Sequence, residues 1–548
     1  MYDSLSSAIL VAYIESFDNS RLYFLASDIE SSEKYRYKID DYLVEGELSA
    51  PYQIFAVFKQ RYYERLEHVD ELLQGGFDFT IDETFKYDRE DAQWATSTED
   101  LNETWRKYVK NEMLSLKLAD KTDEEALETL TKRYDRYRTM IQQYKSADVY
   151  QVFMNSYTNS YDPHTSYFNP TTAEEFEIRM SKSLEGIGAR LMKDGDYTVV
   201  VSVVPGGPAF KSDQIHDDDK IIGVGQGEEG EMINVVGWRN DDVVQLIRGD
   251  KGTTVRLQII EAEQGIAGKP IIVTLVRDKI NVEDTRAESE VMEFMHDGGT
   301  YKLGVITIPS FYKNFKEANN GQEDFASTTK DVQKLIAEMG PDDIDGLLID
   351  LRRNGGGALD EAIDLTGLFI KDGPVVQVKD YRGKIDEEHD TSNRVFYDGP
   401  LAVLTSRASA SASEIFSAAI QDYRRGLVVG EQTFGKGTVQ QLTALQRYIP
   451  EEKEKLGTLS LTMAKYYRVN GGSTQNIGVS PDLALPSAFN HEEYGESSYP
   501  SALPWDKIRT SDYEQTNNIS KEMIELLSER YEARKVTDPD SVSYTHLT

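Results

Sequence analysis

Residues 1–181 carry long polar, charged and aromatic stretches with few Gly or Pro. Leu101–Met154, rich in Glu, Lys, Arg, Leu and Tyr, predicts surface helices. The helical texture breaks at Tyr161-Asp162-Pro163-His164-Thr165-Ser166, a Pro-containing turn cluster. His164 reads there as a capping or packing residue and is assigned no chemistry. From 182 to 281 the pattern changes to short β-branched runs bounded by Gly, Asp and Pro. Tyr197–Val204, Lys220–Val224, Thr253–Ile260 and Ile271–Arg277 predict strands, and Asp241–Ile247 predicts a short helix.

Across 282–490 strand and helix patterns alternate. Leu303–Ile308, Asp345–Leu351, Leu401–Thr405, Leu427–Gly430 and Thr458–Tyr467 predict strands, with a hairpin turn at Asn470-Gly471-Gly472. Helices are predicted over Ala358–Ile370, with Leu359, Ala362, Ile363, Thr366 and Phe369 on one face, and over Ser413–Arg424. This β–α–β order predicts an α/β core whose functional loops lie at strand-to-helix junctions. Residues 491–548 return to acidic, polar, partly helical sequence. The expected fold is a multidomain α+β chain: a helical domain (1–181), a β-rich module (182–281), an α/β core (282–490) and a helical, polar C-terminal region (491–548).

Length and composition narrow the function. At about 150 residues per domain, 548 residues allow three or four domains. The formal net charge of −35 disfavours nucleic acid and anionic membrane as partners, since both need clustered cations. Cysteine is absent, which removes disulfides, thiolate metal sites and cysteine nucleophiles. No apolar run approaches the roughly 18 residues of a membrane span; Ala8–Ile14 is only seven long. The start, Met1-Tyr2-Asp3, has no basic region, so no signal peptide is expected in this chain.

Two glycine motifs are near-misses. Gly225-Gln226-Gly227-Glu228-Glu229-Gly230 has dinucleotide-binding spacing, but two glutamates occupy the pyrophosphate position and no helix pattern follows. Gly430–Gly437 approaches a P-loop with Lys436 in place, but Gly437 stands where the Mg²⁺-binding hydroxyl belongs. Upstream, Ser409-Ala410-Ser411-Ala412-Ser413-Glu414 opens a helix. Ser411 and Glu414 have capping-box spacing, yet a Ser at a strand-to-helix turn also faces outward, with the following amides aimed at any oxyanion it generates. No His lies between His389 and His491, so Lys436 is the base available to it. In Asp350-Leu351-Arg352-Arg353-Asn354-Gly355-Gly356-Gly357, three glycines before a helix favour an oxyanion-binding backbone over a merely flexible loop.

Four segments together resemble the C-terminal processing (tail-specific) serine proteases, in their long bacterial periplasmic form: SLEGIGARL (183–191), DLRRNGGGALDEA (350–362), SASASEIFSAAIQDY (409–423) and VVGEQTFGKGTVQQ (428–441). The resemblance implies a PDZ domain over 182–281 and a crotonase-like serine protease core. On that likeness Met1 falls inside the family's helical domain, and the chain stops before the family's usual end. The implied catalytic set is Ser411 as nucleophile, Lys436 as general base, Gln440 orienting the Lys, and Asp422 as a supporting acid. The implied oxyanion hole is the amides of Gly357 and Ala412. Asp422 lies eleven residues after Ser411, which favours a structural role for it. A lysine base must be neutral, so its pKa has to fall from about 10.4 towards 7–8, which asks for a closed, apolar site. In the PDZ module, Gly186, Ile187 and Gly188 match the carboxylate-binding loop, with Val244 or Ile247 lining the apolar pocket. The implied partners are proteins or peptides with apolar C-termini and an adaptor protein, in the periplasm of a Gram-negative bacterium near the inner membrane. No metal or cofactor is expected. A catalytically silent PDZ scaffold and a P-loop NTPase are the alternatives, distinguished by acylation of Ser411 and by ATP binding.

Overall fold

A computed structural model describes residues 3–535 apart from 266–267, 283–284, 393, 488 and 490–492. Met1, Tyr2, the boundary drawn at 490/491 and the last 13 residues of the chain therefore lie outside it. The chain divides into two compact units, Met1–Pro170 with Leu442–Leu461, and Thr171–Gln441 with Thr462–Thr548.

The first unit is helical: α1 (Asp3–Asp18), α2 (Ala26–Ser32), α3 (Ile39–Glu45), α4 (Ser49–Gly75), α5 (Thr98–Leu118), α6 (Asp123–Gln142) and α7 (Ser146–Thr158). Ile9, Tyr13, Phe58, Leu66, Trp105, Val109, Leu130, Tyr134 and Phe153 form its buried core. Side-chain caps mark two helix starts: Ser97 accepts from the Asp100 N–H, and Thr122 pairs with Glu125 in a capping box. The predicted turn follows α7, where the His164 N–H donates to Asp162 Oδ1 at 2.9 Å. Beyond it β1 (Ser166–Phe168) pairs antiparallel with residues 458–460.

The second unit begins in α8 (Pro170–Ser181) and continues into the β-rich module. Its strands are β2 (Ser183–Gly186), β3 (Ala189–Asp194), β4 (Tyr197–Val203), β5 (Lys220–Gln226), β6 (Met232–Asn234), β7 (Thr254–Ile260), β8 (Ile271–Val276) and β9 (Asp278–Asn281). Helices α9 (Pro208–Ser212) and α10 (Asn240–Ile247) interrupt them. The sheet order is β3-β4-β5-β7-β8 with β6 on β5, so β3 is an edge strand. Val200, Ile221, Val224, Val255, Leu257, Ile259 and Val273, all within the predicted β-branched runs, are buried in the module's core. The glycine motif at 225–230 is the β5–β6 hairpin and opens no helix, which removes the dinucleotide reading.

The α/β core comprises β10 (Glu288–His296), β11 (Gly299–Thr307), α11 (Phe315–Asn319), α12 (Thr328–Met339), β12 (Gly346–Asp350), α13 (Leu359–Thr366), β13 (Pro374–Asp380), β14 (Ile385–His389), β15 (Leu401–Thr405), α14 (Ala412–Asp422), β16 (Leu427–Gly430), β17 (Thr438–Ala444), β18 (Thr458–Tyr467) and β19 (Leu483–Ala484). Helix α15 (Lys521–Lys535) follows. One sheet runs β10-β11-β12-β15-β16-β19, parallel from β11 onward. Its strands and α12, α13 and α14 enclose Ile306, Ile336, Leu347, Ile349, Leu351, Ala362, Val403, Phe416 and Ile420. Within this unit β13 pairs antiparallel with β14 on one side and residues 464–467 of β18 on the other. Helix α13 stops at Thr366 instead of the predicted Ile370. Beyond Thr366 the turn tightens, the Leu368 and Phe369 N–H groups donating to the Leu365 and Thr366 carbonyls three residues back, and the Leu368 carbonyl accepts from the Phe396 and Tyr397 N–H groups.

Candidate active site

Three neighbouring parallel strands, β12, β15 and β16, end side by side, each leading into one of the loops singled out from the sequence. β12 leads to Gly355–Gly357, β15 to Ser409–Ser413, and β16 to the turn carrying Lys436. The C-terminal ends of parallel strands are where such a sheet presents functional loops.

The three serines of the second loop differ in environment. Ser409 and Ser413 are fully buried, and their hydroxyls donate to the carbonyls of Leu351 and Asn354, both at 2.8 Å. Ser411 lies between them, partly exposed. Its backbone has φ 57° and ψ −115°, outside the left-handed helical well and costly for a residue with a Cβ. Ser411 does not cap α14 with its side chain, contrary to what its spacing from Glu414 suggests. The Ser411 hydroxyl makes no capping hydrogen bond, and the Glu414 N–H donates instead to the Ser411 carbonyl at 2.8 Å. Only the return half of the box forms, from the Ser411 N–H to Glu414 Oε2 at 2.8 Å.

Glu414 has no solvent exposure, and four donors converge on its carboxylate. Oε2 accepts from the N–H of Ser411 and, at 2.9 Å, of Lys436; Oε1 accepts from Thr433 Oγ1 at 2.6 Å and the Gly435 N–H at 2.7 Å. Burial pushes its carboxyl up to about 7, while these hydrogen bonds pull the other way. The Tyr466 hydroxyl, also buried, donates to the Lys436 carbonyl and lies 3.2 Å from that of Ser411. Tyr466 and the wider role of Glu414 were not visible in the sequence; the helix-start spacing of Glu414 was its one signal.

The glycine loop closes on the other side of Ser411. A Cβ on Gly356 (φ 104°) would lie 2.7 Å from Ser411 Cβ, and one on Gly357 (φ 149°) 2.1 Å from the Phe311 carbonyl oxygen. Asn354, fully buried, secures this approach: Oδ1 accepts from the Gly356 N–H at 2.9 Å, and its carbonyl accepts from the Ala410 N–H at 3.2 Å. The N–H groups of Gly357 and Ala412 donate to nothing among the described residues.

Gln440 lies on β17, its amide held by Thr438 Oγ1 at 2.9 Å and Thr462 Oγ1 at 3.0 Å. Asp422 stands at the far end of α14 from Ser411. There it accepts two bonds from Arg468 (3.0 and 2.7 Å) and one from Asn470 (2.9 Å), side chains that belong to none of the three site loops. The turn bearing Lys436 continues into strand β17, whereas a P-loop continues into a helix, so the nucleotide-binding alternative lacks its structural context.

In the β-rich module Gly186, Ile187 and Gly188 precede edge strand β3, and the N–H groups of Ile187 and Gly188 donate to nothing among the described residues. Ile187 and Ile247 are buried in the module's core, while Val244 is partly exposed on α10. Of the two pocket candidates, Val244 is the more accessible. Among the described residues, no group of three or more His, Asp or Glu is placed to hold a metal ion.

Comparison with known proteins fits this arrangement. Residues 1–171 match the tail specific protease N-terminal domain, 177–260 the PDZ domain, 302–485 peptidase family S41 and 489–545 the C-terminal domain of tail specific protease. The tail-specific protease of Haemophilus influenzae is 42% identical over 544 residues, covering 99% of this chain and 75% of the relative. The carboxy-terminal processing protease CtpA of Bacillus subtilis is 30% identical over 386 residues, covering 70% of this chain and 72% of that one. A crystal structure of the PDZ domain of a carboxy-terminal protease from Vibrio cholerae in complex with peptide is 54% identical, covering 18% of this chain and 97% of that one, with a TM-score of 0.17. The chain belongs to the tail-specific proteases, C-terminal processing peptidases of family S41 that carry a PDZ domain.

Proposed function

We propose that this C-terminal processing peptidase is a Ser/Lys endopeptidase that takes hold of unfolded or partly unfolded proteins by apolar C-termini. Lys436 Nζ, as the neutral amine, takes the proton from Ser411 Oγ while Oγ attacks the scissile carbonyl carbon. The resulting oxyanion is held by the N–H groups of Gly357 and Ala412. The proton then passes from Lys436 to the leaving amine, the C–N bond breaks, and an acyl-enzyme remains on Ser411. Water, deprotonated by Lys436, hydrolyses it. Gln440 keeps the Lys in place. The observation that carries this reading is Ser411 itself: the one serine of three not turned inward, held at positive φ, with its backbone secured to the same groups as Lys436.

In the PDZ domain, the open edge of β3 would receive the substrate tail as an added strand. The N–H groups of Ile187 and Gly188, which donate to nothing among the described residues, would bind the terminal carboxylate, and Val244 would line the pocket for the last side chain. A periplasmic setting and an adaptor protein complete the proposal. No helix among the described residues is long and apolar enough to cross a membrane.

A fluorophosphonate probe tests the nucleophile. It should label the protein at Ser411, and Ser411→Ala should lose all labelling and proteolysis with almost no change in stability, since the hydroxyl caps nothing. Labelling elsewhere, or proteolysis by Ser411→Ala, would refute the assignment.

A further inference from the structure

The turn bearing Lys436 is also gripped from the segment that follows the core. Glu496, fully buried, donates its backbone N–H to the Phe434 carbonyl at 3.0 Å. Its Oε1 accepts from Gln475 Nε2 at 2.8 Å, and Gln475 Oε1 accepts from the Gly437 N–H at 2.8 Å. Glu496 therefore reaches the turn on both sides of Lys436, directly at Phe434 and through Gln475 at Gly437. The Asn476 N–H adds a bond to the Gly435 carbonyl at 2.7 Å. The segment is itself fastened to the core: Trp505 Nε1 donates to the Ser473 carbonyl at 2.9 Å, and Asn476 Nδ2 to that of Leu503 at 3.1 Å.

We propose that Glu496, in the region matched to the C-terminal domain of tail-specific protease, is a positioning residue for the base, setting the Lys436 turn through Gln475. The inference rests on the reading of Lys436 as general base. Its physical basis is the two-ended nature of a buried amide. Gln475 can accept from Gly437 only with Oε1 toward it, and the reversed amide would set its two hydrogens against the Gly437 N–H. A carboxylate, which only accepts, enforces the productive orientation by requiring Nε2 on its own side. Both side chains have no solvent exposure, so water cannot stand in for either.

The test exchanges the two ends of the relay in the full chain. Gln475→Glu sets two carboxylates against each other out of water. It should lower Ser411 labelling and kcat by about 100-fold, with KM and peptide affinity unchanged. Glu496→Gln keeps an acceptor for Gln475 Nε2 and should lose less. The double exchange, Gln475→Glu with Glu496→Gln, rebuilds the relay, because the new carboxylate accepts from both Gly437 and the new amide. It should return labelling to within about tenfold of the unaltered protein. Hydrogen exchange of the peptide spanning 434–437 should quicken in Gln475→Glu and slow again in the double exchange. That readout does not depend on catalysis, so the relay and the general-base reading can fail separately. Unchanged labelling and exchange in Gln475→Glu would overturn the proposal. So would a folded double exchange no better than Gln475→Glu or, where that single variant does not fold, one still down about 100-fold.

Discussion

Ser411 and Lys436, 25 residues apart in sequence, have their backbones tied to the same two buried side chains. Glu414 Oε2 accepts the N–H of each, at 2.8 and 2.9 Å, and the Tyr466 hydroxyl lies between their carbonyls. The strained serine turn and the lysine turn are thereby set against each other by hydrogen bonds that need no substrate. An enzyme whose nucleophile and base act as a unit needs this kind of preorganisation.

Glu414 makes the arrangement sensitive to pH. With its carboxyl raised to about 7 by burial, the folded protein keeps a proton that the unfolded chain, with a carboxyl near its ordinary value, has released. Its contribution to stability is therefore full below about pH 4.5 and is lost as pH rises through about 7, by about 3 kcal/mol in all. The stability difference between the unaltered protein and Glu414→Gln should shrink by that amount over this range in denaturant titrations; a difference flat in pH would contradict the assignment. Since only the carboxylate can accept from all four donors, Glu414→Gln should also lower kcat by about 100-fold while sparing peptide binding.

Asp422 is expected to act on stability. It lies about 16 Å along α14 from Ser411 at 1.5 Å per residue, and it is bound to Arg468 and Asn470. Asp422→Asn should cost about 1–3 kcal/mol in denaturant unfolding, since it removes the charged partner of a mostly buried ion pair. The folded fraction should keep a kcat near that of the unaltered protein. A kcat lost without a stability change would place Asp422 in the chemistry.

Substrate choice should follow the tail. Peptides ending in small apolar residues should bind and be degraded faster than those ending in Asp or Lys, and amidation should slow both by removing the charge that the Ile187 and Gly188 amides receive. Competition anisotropy with matched free and amidated peptides measures this; equal affinities would show that the module does not read termini.

How far the sequence foretold the structure depended on the range of the contacts. Strands β4, β5, β7 and β8 were legible because β-branched residues face a buried core. Strand β10 was not: all nine of its residues are exposed, and its Glu and Met side chains give no alternation signal. The catalytic loops were legible because each is a local strand-end motif. Their fastening was not. Glu414 looked like a helix-start residue, and Tyr466, Gln475 and Glu496 meet the lysine turn only through contacts spanning 29 or more residues. The capping spacing of Ser411 misled because, at its positive φ, the Glu414 N–H meets the Ser411 carbonyl and the hydroxyl makes no cap hydrogen bond.

The most direct test of the account is the turnover of an unfolded substrate by Lys436→Arg. Arginine keeps the positive charge but does not give up its proton at accessible pH, so a base is lost while a purely electrostatic role survives. The account predicts that Lys436→Arg is as inactive as Lys436→Ala and Ser411→Ala, still binds apolar-tailed peptides, and is made no worse by adding Ser411→Ala. Substantial proteolysis by Lys436→Arg would contradict the general-base assignment, whatever Ser411 proved to do.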